Sequence, residues 1–171
     1  MQFRGTLYRA LSPYWAYRPL SGEGAERFGG RFNRVGRAAL YLADSVETAL
    51  NEVQQAGQFA PVTLVAVEAD LDPLFDACDV AALAQIGARP EDLALPDWAA
   101  RQAMQGSAPT QDLAERVLAM GYCGMRVPSF APGARAAARN LVLWRWGEAL
   151  PHRLRLIDDD NRLRHPPAPP S

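Results

Sequence analysis

The sequence contains no lysine; all 18 of its basic residues are arginine. That absence excludes a lysine Schiff base and a lysine general base. It also makes every cationic side chain a planar fork suited to phosphate or carboxylate, although abundant alanine and proline trace the bias first to genomic base composition. Cysteine is scarce: Cys78 and Cys123 are the only two. Their wide spacing excludes a disulfide framework and a zinc site. Histidine is limited to His152 and His165. No HxH or HExxH pattern occurs, so a metal centre built on imidazole is excluded and no metal is expected. No stretch approaches the roughly 20 apolar residues of a membrane span, and the N-terminal MQFRGTLYR lacks the apolar run of a targeting signal. The expectation is a soluble, cytoplasmic protein. A net charge of -1 excludes a polyanion binder that works by bulk charge, so direct nucleic-acid binding is not expected.

What is present suits one domain. A chain of 171 residues, 49% of them apolar, can bury a core of useful size. Strand patterns run over Phe3–Leu11, Ala38–Ala43, Pro61–Leu71, Tyr122–Val127, Asn140–Trp146 and Leu154–Ile157. Helical patterns cover Ser45–Val53, Asp79–Ile86, Leu95–Gln105 and Gln111–Met120, the last closed by Gly121. Residues 12–24 read as a loop with Tyr14, Trp15 and Tyr17 clustered, and such aromatics serve either as a surface cluster folded onto the core or as a stacking platform. Strands and helices mix without strict alternation, which places the chain in the α+β class. The body is expected over residues 1–160. Residues 161–171, ending HPPAPPS, are expected to form an extended, flexible proline-rich tail.

The stretch from Gly29 to Val53, GGRFNRVGRAALYLADSVETALNEV, organises the rest. A Gly-Gly turn carries Arg31, a buried strand carries Tyr41, and a helix carries Glu52. The glycine spacing is neither GxGxxG nor GxxxxGK[ST], which rules out Rossmann and P-loop claims. Asp44 followed by Glu47 has the form of a capping box. Val46, Ala49, Leu50 and Val53 recur at i, i+3, i+4 and i+7, the pattern of one buried face. Glu52 then falls about 100° from that face, at a flank where a glutamate by itself reads as solvated. Arg9, at the end of the first strand, reads as a solvated edge charge or as a site residue.

Four segments taken together resemble the RES domain, the toxin of two-gene toxin–antitoxin pairs: TLYRAL with Arg9, GEGAERFGGRFNRVGRAALYLADSVETALNEV, VPSF with Ser129, and RNLVLW with Asn140. The middle, from about residue 72 to 120, is the least characteristic. The resemblance implies an ADP-ribosyltransferase-like mixed sheet with covering helices, and cleavage of the nicotinamide–ribose bond of NAD. It suggests Arg31, Glu52 and Ser129 as the family's named residues, with Arg9, Tyr41 and Asn140 completing the pocket. It further implies an Xre-like helix-turn-helix antitoxin as partner. NAD enters as substrate, and the acceptor of the ADP-ribosyl group is either a protein or inorganic phosphate.

The residue types suit that chemistry. Guanidiniums match a diphosphate bidentately, with Arg9 and Arg31 as candidates. A carboxylate, Glu52, can stabilise positive charge developing on the ribose. Tyr41 can border the nicotinamide ring. Ser129 is read as a hydrogen-bonding residue and not a nucleophile, because no histidine or lysine is placed to activate it. The competing readings are a non-enzymatic module that binds an acidic partner segment and an RNA-cleaving toxin, the latter disfavoured by the balanced charge.

Overall fold

The computed structural model describes residues 1–54 and 60–163; the expected proline-rich ending, HPPAPPS, lies outside them. Among these residues seven strands form one sheet: β1 (Phe3–Leu11), β2 (Leu40–Ala43), β3 (Thr63–Leu71), β4 (Leu74–Asp76), β5 (Gly124–Pro128), β6 (Arg139–Leu143) and β7 (His152–Leu156), in the order β4-β5-β6-β2-β1-β3-β7. Every neighbouring pair is antiparallel except β4 and β5. Among the described residues six α-helices accompany them, α1 (Glu23–Phe28), α2 (Val46–Val53), α3 (Val80–Gln85), α4 (Pro90–Leu93), α5 (Trp98–Gln105) and α6 (Pro109–Ala119), with one 3-10 turn at Pro13–Trp15. This is the α+β mixed sheet with covering helices that the sequence leads one to expect. Among the described residues no helix is long and apolar enough to cross a membrane.

The sheet is apolar on both faces, and strand alternation divides the core in two. Leu141 and Leu143 of β6 join Leu7, Leu40, Leu42, Val67 and Leu154 on one face. Val142, between them, joins Met125, Val127, Leu113 and Val117 on the other, under α3 and α6. A third, small cluster consists of Ala10, Ala43 and Ala49. Three alanines at this contact let α2 lie close against β1 and β2, so a residue on its inner face can reach across to β6.

That inner face is shifted by one residue from the sequence pattern. Val46 and Val53 are 39% and 42% exposed, while Thr48 and Ala49 are buried. The face in contact runs Ser45, Thr48, Ala49, Glu52, the same i, i+3, i+4, i+7 spacing one position earlier. The expected cap is corrected in the same sense. Ser45, and not Asp44, caps α2, its Oγ accepting from the Thr48 amide at 3.1 Å. Asp44 is held in register with β6: its amide donates to the Arg139 carbonyl at 3.0 Å and its carboxylate accepts from the Arg139 amide at 3.3 Å. The chain therefore cannot turn into the helix until the next residue.

One irregularity of the sheet shapes everything that follows. β1 pairs with β3 along its full length, from Phe3↔Leu71 to Leu11↔Thr63, but meets β2 at a single register position, Tyr8↔Ala43. Beyond that point the last three residues of β1 leave β2, and the sheet opens.

The Gly-Gly turn closes tightly. Gly30 and Asn33 exchange backbone hydrogen bonds at 2.9 and 3.3 Å. A Cβ on Gly30 would lie 2.5 Å from the Tyr41 hydroxyl and 2.6 Å from Asn33 Oδ1, whereas one on Gly24, inside α1, would meet nothing within 4 Å. Gly30→Ala is expected to lower unfolding free energy by about 1–3 kcal/mol through overpacking. Gly24→Ala is expected to raise it by up to about 1 kcal/mol through helix propensity. Urea denaturation of the two variants checks the contrast.

Candidate active site

The opening between β1 and β2 is a cavity of about 270 Å³ lined by Tyr8, Arg9, Ala10, Tyr41, Leu42, Ala43, Ala49, Glu52, Val53 and Asn140. Four residues singled out in the sequence, Arg9, Tyr41, Glu52 and Asn140, thus meet around one hollow. β1, β2, α2 and β6 each supply one.

Glu52 is anchored, not solvated. Its Oε1 accepts from Ser129 Oγ at 2.6 Å and from Asn140 Nδ2 at 2.5 Å. Ser129 follows β5 and Asn140 lies on β6, so two neighbouring strands hold one carboxylate oxygen with two charge-assisted hydrogen bonds. Ser129 Oγ also accepts from the Ala131 amide at 3.3 Å, which turns its proton toward Glu52. Asn140 spends its amide on Glu52, and its Oδ1 is buried without a hydrogen-bond partner among the described residues.

Arg9 is no edge charge, because β1 runs between β2 and β3. Its Nη1 donates to the carbonyls of Pro19 at 2.6 Å and Ser21 at 3.1 Å, and burial lowers its pKa from the ordinary arginine value. The side chain ties the 12–22 segment across the opening while keeping a guanidinium at its edge.

Tyr41 borders the cavity with its ring and spends its hydroxyl on the turn. The hydroxyl donates to Asn33 Oδ1 at 2.7 Å and accepts from the Phe32 amide at 3.1 Å. Burial pushes the phenol well above its ordinary pKa, so Tyr41 is a neutral wall and donor, not a base.

Arg31 stands outside that cavity lining. Its Nη1 donates to the Leu95 carbonyl at 2.6 Å and, more weakly, to Leu93 at 3.4 Å, and the guanidinium lies 4.6 Å from the centre of the Phe130 ring. Burial lowers its pKa, and the charge of Glu52 opposes that shift, so the two groups are electrostatic neighbours. Phe130 adjoins Ser129, which holds Glu52. Arg31 therefore backs the segment that anchors the carboxylate.

The middle of the chain, least characteristic in sequence, supports the site from behind. The carbonyls that hold Arg31 belong to α4 and the turn after it. Gln111 of α6 is fully buried; its Nε2 donates to the carbonyls of Gly30 at 2.8 Å and Asn33 at 3.0 Å, and its Oε1 accepts from the Ala108 amide at 3.0 Å. One side chain thus closes the start of α6 and clamps the Gly-Gly turn. The available signal was Gln111 at the third position of the helix that Pro109 opens, a capping glutamine, but nothing in the sequence says which turn it also grips.

The fold and this cavity define a sheet-opening site walled by arginine, tyrosine and a clamped glutamate. The RES domain family profile matches residues 6–166, and the chain belongs to that family. It is 36% identical over 103 residues to the NAD(+) phosphorylase MbcT of Mycobacterium tuberculosis and to that of Mycobacterium bovis, covering 52% of this chain and 54% of theirs. It is 44% identical over 52 residues to Toxin Res of Yersinia enterocolitica, covering 30% of this chain and 31% of that protein. The chain spans about half the length of the curated relatives it matches. Its fold is similar to that in the crystal structure of the M. tuberculosis MbcT–MbcA toxin–antitoxin complex, with a TM-score of 0.66 at 26% identity over 92% of this chain and 84% of that one.

Replacing Gln111 tests how far the turn depends on α6. Gln111→Ala removes the hydrogen bonds of Nε2 to the Gly30 and Asn33 carbonyls and to Gln102 Oε1 of α5, in a dry site, and is expected to cost about 1–3 kcal/mol of stability. Gln111→Glu, of the same size but facing two carbonyls with an acceptor, is expected to cost at least as much. Thermal and urea unfolding of both variants measure the effect.

Proposed function

We propose that this chain is an NAD-consuming toxin that breaks the nicotinamide–ribose bond and passes the ADP-ribosyl group to inorganic phosphate. The observation that carries the reading is Glu52, oriented by Ser129 and Asn140 at the wall of a cavity it shares with Arg9 and Tyr41. The name NAD(+) phosphorylase borne by MbcT favours phosphate over a protein as acceptor.

As the bond between ribose C1 and the pyridinium nitrogen breaks, its electron pair moves to the nitrogen and nicotinamide leaves neutral. No acid is needed. The positive charge left on the ribose is what needs stabilising, and a carboxylate fixed beforehand does so without reorganising during the reaction. Ser129 and Asn140 act as positioning residues that keep Glu52 in one rotamer. The Arg9 guanidinium faces the diphosphate. The ring of Tyr41 walls the nicotinamide half against water, its hydroxyl held by the turn. A phosphate oxygen then forms the new bond to C1, giving ADP-ribose 1-phosphate.

An antitoxin partner accords with the similarity to a toxin–antitoxin complex. We assign that partner the helix-turn-helix, Xre-like type, with co-purification of the neighbouring gene's product as its test.

Nicotinamide release by the purified chain, with and without phosphate, tests the activity. Turnover is expected to require phosphate and to fall about 100-fold in Glu52→Ala, the equivalent of roughly 3 kcal/mol of transition-state stabilisation. Wild-type rates in Glu52→Ala would refute the role of Glu52. Equal rates without phosphate, or label from NAD appearing on a protein, would refute the acceptor.

A further inference from the structure

A second cavity, of about 260 Å³, lies beside the first, lined by residues that include Arg9, Trp15, Arg18, Glu23, Arg27 and Phe28. Arg9 is the one residue that lines both. Three of the second cavity's walls are guanidiniums and one is a carboxylate, and Arg18 already holds that carboxylate, Glu23, through both nitrogens of its fork. The remaining charge is therefore positive, placed at Arg9 and Arg27.

The same cavity carries two large aromatics that the core does not use. Trp15 is 54% exposed and Phe28 is 68% exposed. Trp15 is not a loose side chain. Its own segment begins with a helical turn capped by Ser12, and its ring packs edge-on against Tyr14 with centroids 4.8 Å apart. Four to six residues further on, Arg9 binds the carbonyls of Pro19 and Ser21, and the Trp146 indole binds the carbonyl of Leu20 at 3.1 Å. The segment is thus pinned from β1 and from the stretch after β6 while leaving an indole at the cavity wall. A pinned exposed aromatic beside unbalanced guanidiniums suits a ligand with a flat ring and a phosphate, because stacking and ionic pairing act on its two ends together.

We propose that this second cavity takes the adenosine monophosphate half of the dinucleotide, with adenine against Trp15 and the phosphates on Arg27 and Arg9. This rests on the reading of the first cavity as the nicotinamide–ribose site. Arg9 is then the hinge of one continuous trough, meeting the diphosphate midway between the two rings. The consequence is selectivity: NAD is gripped at both ends, whereas nicotinamide mononucleotide, which has no adenosine half, is gripped at one.

Two measurements test it. In calorimetric titration, AMP is expected to bind the wild type and to bind Trp15→Ala and Arg27→Ala roughly tenfold more weakly, with Trp15→Phe recovering most of the loss. Absence of AMP binding to the wild type, or equal binding to all variants, overturns the proposal whether or not the protein consumes NAD. In turnover, Trp15→Ala is expected to raise KM for NAD roughly tenfold with kcat nearly unchanged, and to leave nicotinamide mononucleotide turnover as in the wild type. An equal effect on both substrates overturns the proposal. Failure of the wild type to release nicotinamide at all would instead defeat the proposed activity, leaving the AMP titration to judge this site alone. Trp15 is exposed, so its replacement is not expected to disturb folding, and a matching melting temperature is the control.

Discussion

One carboxylate oxygen, held by a hydroxyl from the end of β5 and an amide from β6, is the contact on which the rest of this structure depends. Two hydrogen bonds at 2.6 and 2.5 Å fix α2 to the sheet, and they do so with the one acidic side chain that lines the cavity between β1 and β2. The arrangement needs α2 to sit close, which Ala10, Ala43 and Ala49 allow. It also needs the helix to begin one residue late, which the pairing of Asp44 with Arg139 enforces. Small side chains and a delayed cap are ordinary features by themselves. Together they set the rotation of a short helix so that Glu52 reaches Ser129 and Asn140.

The sheet itself makes the hollow. A strand that pairs fully on one side and at one position on the other leaves a wedge between β1 and β2, and the wedge is where cationic, aromatic and acidic side chains meet. Arg9 stabilises the gap by tying the following segment over it, and in doing so it separates the two cavities that a dinucleotide would span. The Gly-Gly turn supports the floor at a distance: Tyr41, Asn33 and Gln111 share it through a connected set of hydrogen bonds, with Arg31 on its outer side against Phe130.

Much of the fold was legible because the strands are long apolar runs. β1 matches its expected limits residue for residue, and β3, β5, β6 and β7 lie within a few residues of theirs. β4 was missed because three residues beside a proline carry no period, and its pairing with β5 is parallel and distant in sequence. The misread face of α2 has a simpler cause. Apolar periodicity marks the side of a helix that turns to a core, and here the inner side turns to a polar site, so Val46 is exposed and Val53 stands half-exposed at the cavity wall. Arg9 read as either a solvated edge charge or a site residue, because an arginine in a strand gives no sign of which neighbours that strand will have. Arg31 lies outside the cavity that Glu52 lines, and no local pattern could show that α4 and the turn after it would take up its guanidinium. Gln111 was invisible as a site residue for the same reason: its partners are about 80 residues away.

The central claim is that Arg9 and Glu52 hold one dinucleotide between them. A crystal structure of Glu52→Gln, expected to retain NAD while turning it over slowly, bound to NAD tests this most directly. The account predicts the nicotinamide ribose beside residue 52 and the diphosphate on the Arg9 guanidinium, in the opening between β1 and β2. A dinucleotide bound elsewhere, with that opening unfilled, would contradict it.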